Sequence, residues 1–149
     1  QKNMKTNTEN NNAFKIHICG FGGFLYPFGS IITPLIAWQT LKNRSTFLDE
    51  QGKEAVNFNI SFSLYKFLVG IIFVPFAIGS FFKNWDNFNH INWNFNDFDF
   101  YSSDFFGFLG FGSLIGILGI IRIILTINAA VKSKEGENYK YPFTIKFIK

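Results

Sequence analysis

The chain of 149 residues carries 14 basic and 10 acidic residues, a net charge of +4 and a single cysteine. Its charged fraction, 16%, lies below the roughly 25% of soluble domains. The lone Cys19 excludes an intrachain disulfide scaffold, and a modest +4 with basic residues flanking apolar runs argues against a nucleic-acid module. Three runs, residues 16–41, 67–82 and 105–131, hold one charged residue between them, Arg122. Core helices of a soluble domain would show a polar face about every 3.6 residues, and these runs do not. The fold class is therefore all-α, a polytopic helical membrane protein with three transmembrane segments.

Residues 1–15 are polar and Asn-rich, with no apolar residue from Thr6 to Asn12. Such a stretch buries too little surface to offset its ordering entropy, so a disordered N-terminal tail is expected. The single transmembrane domain then runs over 16–149. Its first segment, 16–41, is long enough to span, roughly 39 Å of helix against a hydrocarbon core of about 30 Å. Gly20, Gly22, Gly23, Pro27, Gly29 and Pro34 interrupt it. Pro27 removes a backbone donor, which places a break at Pro27 to Gly29. Freed backbone groups must be satisfied by protein or water, so the break should face the interior. A membrane hairpin with two short arms is the alternative to a broken single span.

A polar connection, 42–54, follows. In the next stretch Asn57, Asn59, Ser61 and Ser63 alternate with Phe58, Ile60, Phe62 and Leu64. Period two alone argues a strand. A lone strand cannot enter a bilayer with its edges unpaired, so the segment 54–82 is read as a helix. On a helix the same residues form two polar stripes, Asn57/Ser61 and Asn59/Ser63/Lys66. The loop 83–104 mixes Trp, Phe and Tyr with Asn and Asp and suits a headgroup-level location. Its His90, Asp97 and Asp99 lack metal-ligand spacing. The third segment, 105–131, carries Gly112, Gly116 and Gly119, a close helix-packing face of the small-xxx-small type. The basic, aromatic segment 132–149 fits an anionic headgroup surface.

Basic residues set the orientation. Lys42, Arg44 and Lys53 in the first connection and Lys132, Lys134, Lys140, Lys146 and Lys149 at the C-terminus share one side in either topology. The loop 83–104 has only Lys83. The positive-inside rule puts the C-terminus inside and the aromatic loop outside.

Two motifs carry a resemblance. One spans Asp49, Glu50, Gly52, Lys53, Glu54 and Asn57; the other contains Tyr141 and Pro142. With Tyr26-Pro27-Phe28-Gly29 and the Thr33-Pro34-Leu35-Ile36-Ala37-Trp38 run, the chain resembles the DUF4870 family of small bacterial membrane proteins, grouped with Tic20-like proteins, over about residues 14–149. The resemblance implies an inner-membrane helical protein and no mechanism. A link to protein translocation follows only by distant analogy.

No catalytic set, nucleotide loop, cofactor motif or metal site emerges, and the chain is expected not to be an enzyme. Lys66 and Arg122 stand out as cations inside apolar helices. A mid-membrane Lys or Arg costs about 2.5 to 3.5 kcal/mol on insertion scales. Lys66 points toward the inner face and can snorkel, whereas Arg122 tilts deeper. Arg122 therefore needs an acceptor: another chain's carboxylate, a lipid phosphate, or neutral groups such as Asn59, Ser63 and carbonyls near a proline. Lys66 can share that partner- or lipid-binding site. Three functions follow in order: an accessory structural subunit of a membrane complex, partnered by lipids and other integral membrane subunits; a Tic20-like translocation component or small transporter; and an anionic-lipid-binding membrane protein. No nucleic acid or small-molecule substrate is implied.

Overall fold

The computed structural model describes residues 2–24, 28–83 and 102–149. Among them are helices α1 (Lys2–Ile18), α2 (Gly29–Leu41), α3 (Thr46–Lys83) and α4 (Ser102–Lys134), with a 3-10 segment, Cys19–Phe24, between α1 and α2. No strand occurs among the described residues, so the all-helical expectation stands. Pro27 and most of the aromatic loop 83–104 lie outside the described residues. The chain divides into two compact units, residues 1–64 with 120–149, and residues 65–119.

Of the three crossings expected from hydropathy, two correspond to helices that, among the described residues, are long and apolar enough to span, Thr46–Gly79 and Leu109–Lys134. The 16–41 run is instead split between the end of α1, the 3-10 segment and α2. With 13 residues, α2 covers about 20 Å, short of a bilayer core of about 30 Å. Glycine chemistry explains the split. A Cβ on Gly29 would collide with the Gly22 carbonyl, and one on Gly22 would collide with the Thr33 hydroxyl. The two arms can therefore pack backbone to backbone only because both positions lack a side chain. Phe28, at φ 64, starts α2 in the left-handed region, and its carbonyl accepts the Ile31 and Ile32 amides.

The polar N-terminal stretch forms α1 rather than a disordered tail. Three of its residues, Ala13, Ile16 and His17, are wholly buried. Ala13 and Ile16 pack with Leu48 and Ala55 of α3, and Ala37, Leu41 and Phe47 close around them. This one anchored turn offsets the ordering cost that the composition alone predicts to win.

Gly52 lies inside α3, where it lowers helix propensity. A Cβ there would overlap the Trp38 indole, so α2 can approach α3 only at this glycine. Trp38 Nε1 then donates to Asp49 Oδ1 at 2.9 Å, and Lys53 pairs with the other Asp49 oxygen at 2.7 Å. Gly112, Gly116 and Gly119 differ. No described residue lies within 4 Å of a Cβ built on any of them. The contrast predicts opposite signs for the same substitution. Gly116→Ala should hold or raise the thermal midpoint in detergent, by up to about 1 kcal/mol of helix propensity. Gly52→Ala should lower it by about 1 to 3 kcal/mol through overpacking. A Gly52→Ala variant as stable as wild type would remove the α2–α3 contact from the account.

Along α4 in the first unit the polarity is inverted relative to a helix of a soluble domain. Buried positions of α4 are Arg122, Thr126, Ala129, Ala130 and Ser133, one helical stripe of polar and small residues. Its opposite side exposes Ile120 (59%), Ile124 (52%), Ile127 and Val131. Lipid is as apolar as isoleucine, so in a bilayer small and hydrogen-bonding residues make the helix contacts.

In the second unit the far part of α3 meets α4 through Phe73 and Phe111, ring centroids 4.8 Å apart. Phe67, Leu68, Ile71, Ile72, Leu114, Ile115 and Ile117 are exposed there, as lipid contact requires.

Candidate functional site

The buried polar residues of the first unit converge on α3, in two layers. The deeper layer is centred on Arg122. Its Nη2 donates to the Gly20 carbonyl and, at 3.0 Å, to Asn59 Oδ1. Asn59 is oriented for this by its own helix, because Nδ2 donates to the Ala55 carbonyl at 2.8 Å, one turn back. That leaves Oδ1 facing the guanidinium. Gly20 is held close, since a Cβ there would meet Asn59 Nδ2 at 2.9 Å. Arg122 is 7% exposed, about 18 Å from the Lys134 end of its helix. Its acceptors are thus internal to the chain, a neutral amide and a carbonyl next to the 3-10 segment. Asn59 is among the acceptors expected from sequence. Gly20 is not, because the carbonyl that matters belongs to a glycine rather than to the neighbour of a proline. Ser63 is half-buried on α3 and Lys66 is exposed in the second unit.

The upper layer is centred on Gln51. Its Oε1 accepts from His17 Nε2 at 3.0 Å, Ser133 Oγ at 3.0 Å and the Tyr139 amide at 3.4 Å. Because Oε1 is an acceptor, His17 Nε2 carries the proton and Nδ1 accepts from the Tyr141 hydroxyl at 2.9 Å. The network therefore fixes one neutral imidazole tautomer. Burial holds the His17 pKa down at about 4, against a smaller opposing effect of the Gln51 hydrogen bond. Burial also pushes the Tyr141 phenol far above its ordinary range. The Tyr141 ring stacks on Phe58 with centroids 3.9 Å apart, and Tyr139 meets it edge-on at 5.1 Å.

From this layer the C-terminal segment runs along α3 as a strap. Extended chain has no internal partners for its peptide groups, so α3 side chains supply them. Gln51 pairs with both peptide groups of Tyr139, at 3.4 Å each. The Tyr141 amide donates to Glu54 Oε2 at 3.3 Å. The Ile145 amide donates to Ser61 Oγ at 2.9 Å, and Ser61 donates to the Asn57 carbonyl. Asn57 takes the Ile148 amide on Oδ1 at 2.8 Å and gives Nδ2 to the Ile148 carbonyl at 2.9 Å. Asn138 Nδ2 donates to Glu50 Oε2 at 3.1 Å.

The two sequence motifs are thus two sides of one contact. Asp49 and Gly52 seat α2. Glu50, Glu54, Asn57 and Ser61, three or four residues apart, form one helical face; Glu50 takes the Asn138 side chain and the other three take the strap's backbone. Tyr141 closes it from above, while Pro142 is exposed. Sequence reasoning misses His17 and Gln51. A histidine five residues past an Asn-rich run and a glutamine within a charged motif carry no signal until the helices meet. No group of three or more His, Cys, Asp or Glu residues suited to a metal occurs among the described residues. The arrangement holds α1, α3, α4 and the strap together.

Comparison with known proteins corrects the resemblance read from the motifs. No protein of curated function and no solved structure matches the chain. The sequence profile that does match, over residues 8–148, is not DUF4870 or a Tic20-like family. The same Asp49–Asn57 and Tyr141–Pro142 motifs lie inside that match. Glu50, Glu54, Asn57 and Tyr141 of these motifs form an intramolecular clasp between α3 and the strap. With nearly its whole length covered, the chain belongs to the MamF/MmsF family, the magnetosome magnetite crystal formation proteins.

Proposed function

We propose that this protein is a non-catalytic accessory protein of the magnetosome membrane, acting with other magnetosome proteins in magnetite crystal formation. Family membership over residues 8–148 is the observation that carries this reading. Two features support it. Two helices are long and apolar enough to cross a membrane. Buried polar side chains of the first unit, His17, Gln51, Asn57, Asn59 and Arg122 among them, are engaged in hydrogen bonds within the chain.

With two crossings, α1, α2 and the strap share the cytoplasmic side, where most of the basic residues lie, and 84–101 faces the lumen. Asp86, Asp97, Asp99 and Asp104, in or beside that connection, then face the compartment in which mineral forms. The topology is tested in a Cys19→Ser background. Produced in the cell membrane of a host without magnetosomes, where the lumenal side becomes periplasmic, Asn94→Cys should react with an impermeant maleimide in intact cells, and Glu135→Cys only after lysis. Reversed labelling sinks the orientation.

The function is tested by complementation. In a magnetite-forming cell stripped of its own family member, this chain should localise with the crystals and restore their size in electron micrographs. Uniform cell-membrane fluorescence with no change in the crystals would overturn the proposal.

A further inference from the structure

The strap leaves a cavity of about 240 Å³ between itself and α3. Lys53, Lys140, Lys146 and Lys149 line it, together with Glu50 and Glu54. Both carboxylates are already engaged with the strap, Glu54 by the Tyr141 amide and Glu50 by the Asn138 amide group. Lys53 pairs with Asp49. No ion pair among the described residues engages Lys140, Lys146 or Lys149. The cavity therefore carries a surplus of positive charge from flexible ammonium groups.

Beyond Tyr141 the strap is held through the backbone of Ile145 and Ile148, and apolar side chains there are left to point away. Phe143 is 79% exposed and Phe147 50%, and Ile145 is exposed beside them. Phe143 sits at φ 60, a conformation a phenylalanine rarely adopts, at the bend that carries its ring outward. In water this would be an unstable surface. Its depth gives it a different meaning. Ile145 is hydrogen-bonded to Ser61, and α3 begins its exposed apolar run at Leu64, about 5 Å further along the helix. Phenylalanines and isoleucine at that level, with lysines interleaved, match the boundary between acyl chains and headgroups.

We propose that this cavity seats the headgroup of an anionic phospholipid, with Phe143, Ile145 and Phe147 against its acyl chains. The lysines supply point-charge donors to the phosphate, and the two glutamates, engaged by Tyr141 and Asn138, keep the strap in place. The inference does not depend on the magnetite role.

Native mass spectrometry of the full chain in mild detergent, titrated with phosphatidylglycerol or phosphatidylcholine, tests it. Phosphatidylglycerol should be retained at concentrations about tenfold or more below phosphatidylcholine. The triple variant Lys140→Gln/Lys146→Gln/Lys149→Gln should weaken that retention about tenfold or more, as expected for several lysines near an anionic surface. Its helicity should be unchanged, because the strap's hydrogen bonds do not use these side chains. Lys132→Gln, whose ammonium pairs with Glu137 outside the cavity, should behave as wild type. Phe143→Ser should also weaken lipid retention. If the triple variant does not fold, the single variants Lys146→Gln and Lys149→Gln are read in the same way. Equal retention of the two lipids, wild-type retention by the lysine variants, or an equal loss in Lys132→Gln overturns the site. Displacement of the lipid by inorganic phosphate alone would overturn the lipid in favour of a free anion.

Discussion

Replacing Asn59 by leucine should destabilise the protein more than replacing Arg122 itself. Arg122 is a charged donor at membrane depth with two internal acceptors, Asn59 Oδ1 and the Gly20 carbonyl. Asn59→Leu leaves the guanidinium buried and short of one of them, a change in the class that costs about 3 to 5 kcal/mol. Snorkelling offers no relief, since the side chain tilts toward the helix N-terminus and away from the nearer basic end. Arg122→Leu instead removes the charge with its desolvation penalty. Its residual cost is two acceptors left without a donor, about 1 to 3 kcal/mol. The double variant should then be more stable than Asn59→Leu alone, because the orphaned charge is gone. Thermal unfolding in detergent, followed by circular dichroism, reads all three. Additive losses in the double variant would show that the two side chains act independently. A milder loss for Asn59→Leu than for Arg122→Leu would show that the guanidinium finds another partner.

Parts of this site are legible in the sequence, for a physical reason. A bilayer makes charge expensive, so Arg122 declares its need for an acceptor by position alone. Helical period sorts Asn57 and Ser61 from Asn59 and Ser63, and the structure uses the two stripes for different tasks: one holds the strap, and Asn59 of the other receives Arg122. The two spans read directly from apolar length. What does not read is what depends on backbone. The Gly20 carbonyl, the peptide groups of Tyr139, Ile145 and Ile148, and the close approach of Gly22 to Gly29 carry no side-chain signal. Glycines show the limit plainly. Gly112 and Gly116 have the packing spacing, yet no described residue approaches them. Gly52, which looks like a flaw in a helix, is where Trp38 docks. For α1, three buried residues outweigh a composition that argues for disorder.

His17 makes stability depend on pH in a direction the geometry dictates. The folded imidazole is neutral, with one nitrogen donating to Gln51 and the other accepting from Tyr141. Burial lowers its pKa from 6.5 to about 4. A depressed folded pKa means that the unfolded chain takes up the proton first. The stabilisation is therefore fully present above pH 6.5, is lost as the pH falls from 6.5 toward 4, and changes no further below that. Across that window the slope approaches about 1.4 kcal/mol per pH unit, a loss on the order of 3 kcal/mol in all. Other groups titrate in the same range, so the informative quantity is the difference between wild type and His17→Gln. The variant keeps an uncharged amide at this position and should unfold at a lower temperature at pH 7.5. Between pH 6.5 and 4 its midpoint should fall less steeply than that of wild type, and the two curves should converge. Tyr141→Phe removes the hydroxyl that donates to Nδ1 but leaves the imidazole buried and neutral, so it should lower the midpoint at every pH while keeping the wild-type slope. Parallel curves for wild type and His17→Gln would mean that the imidazole reaches solvent in the folded protein, and that the clasp joining α1, α3 and the strap opens there before the rest unfolds.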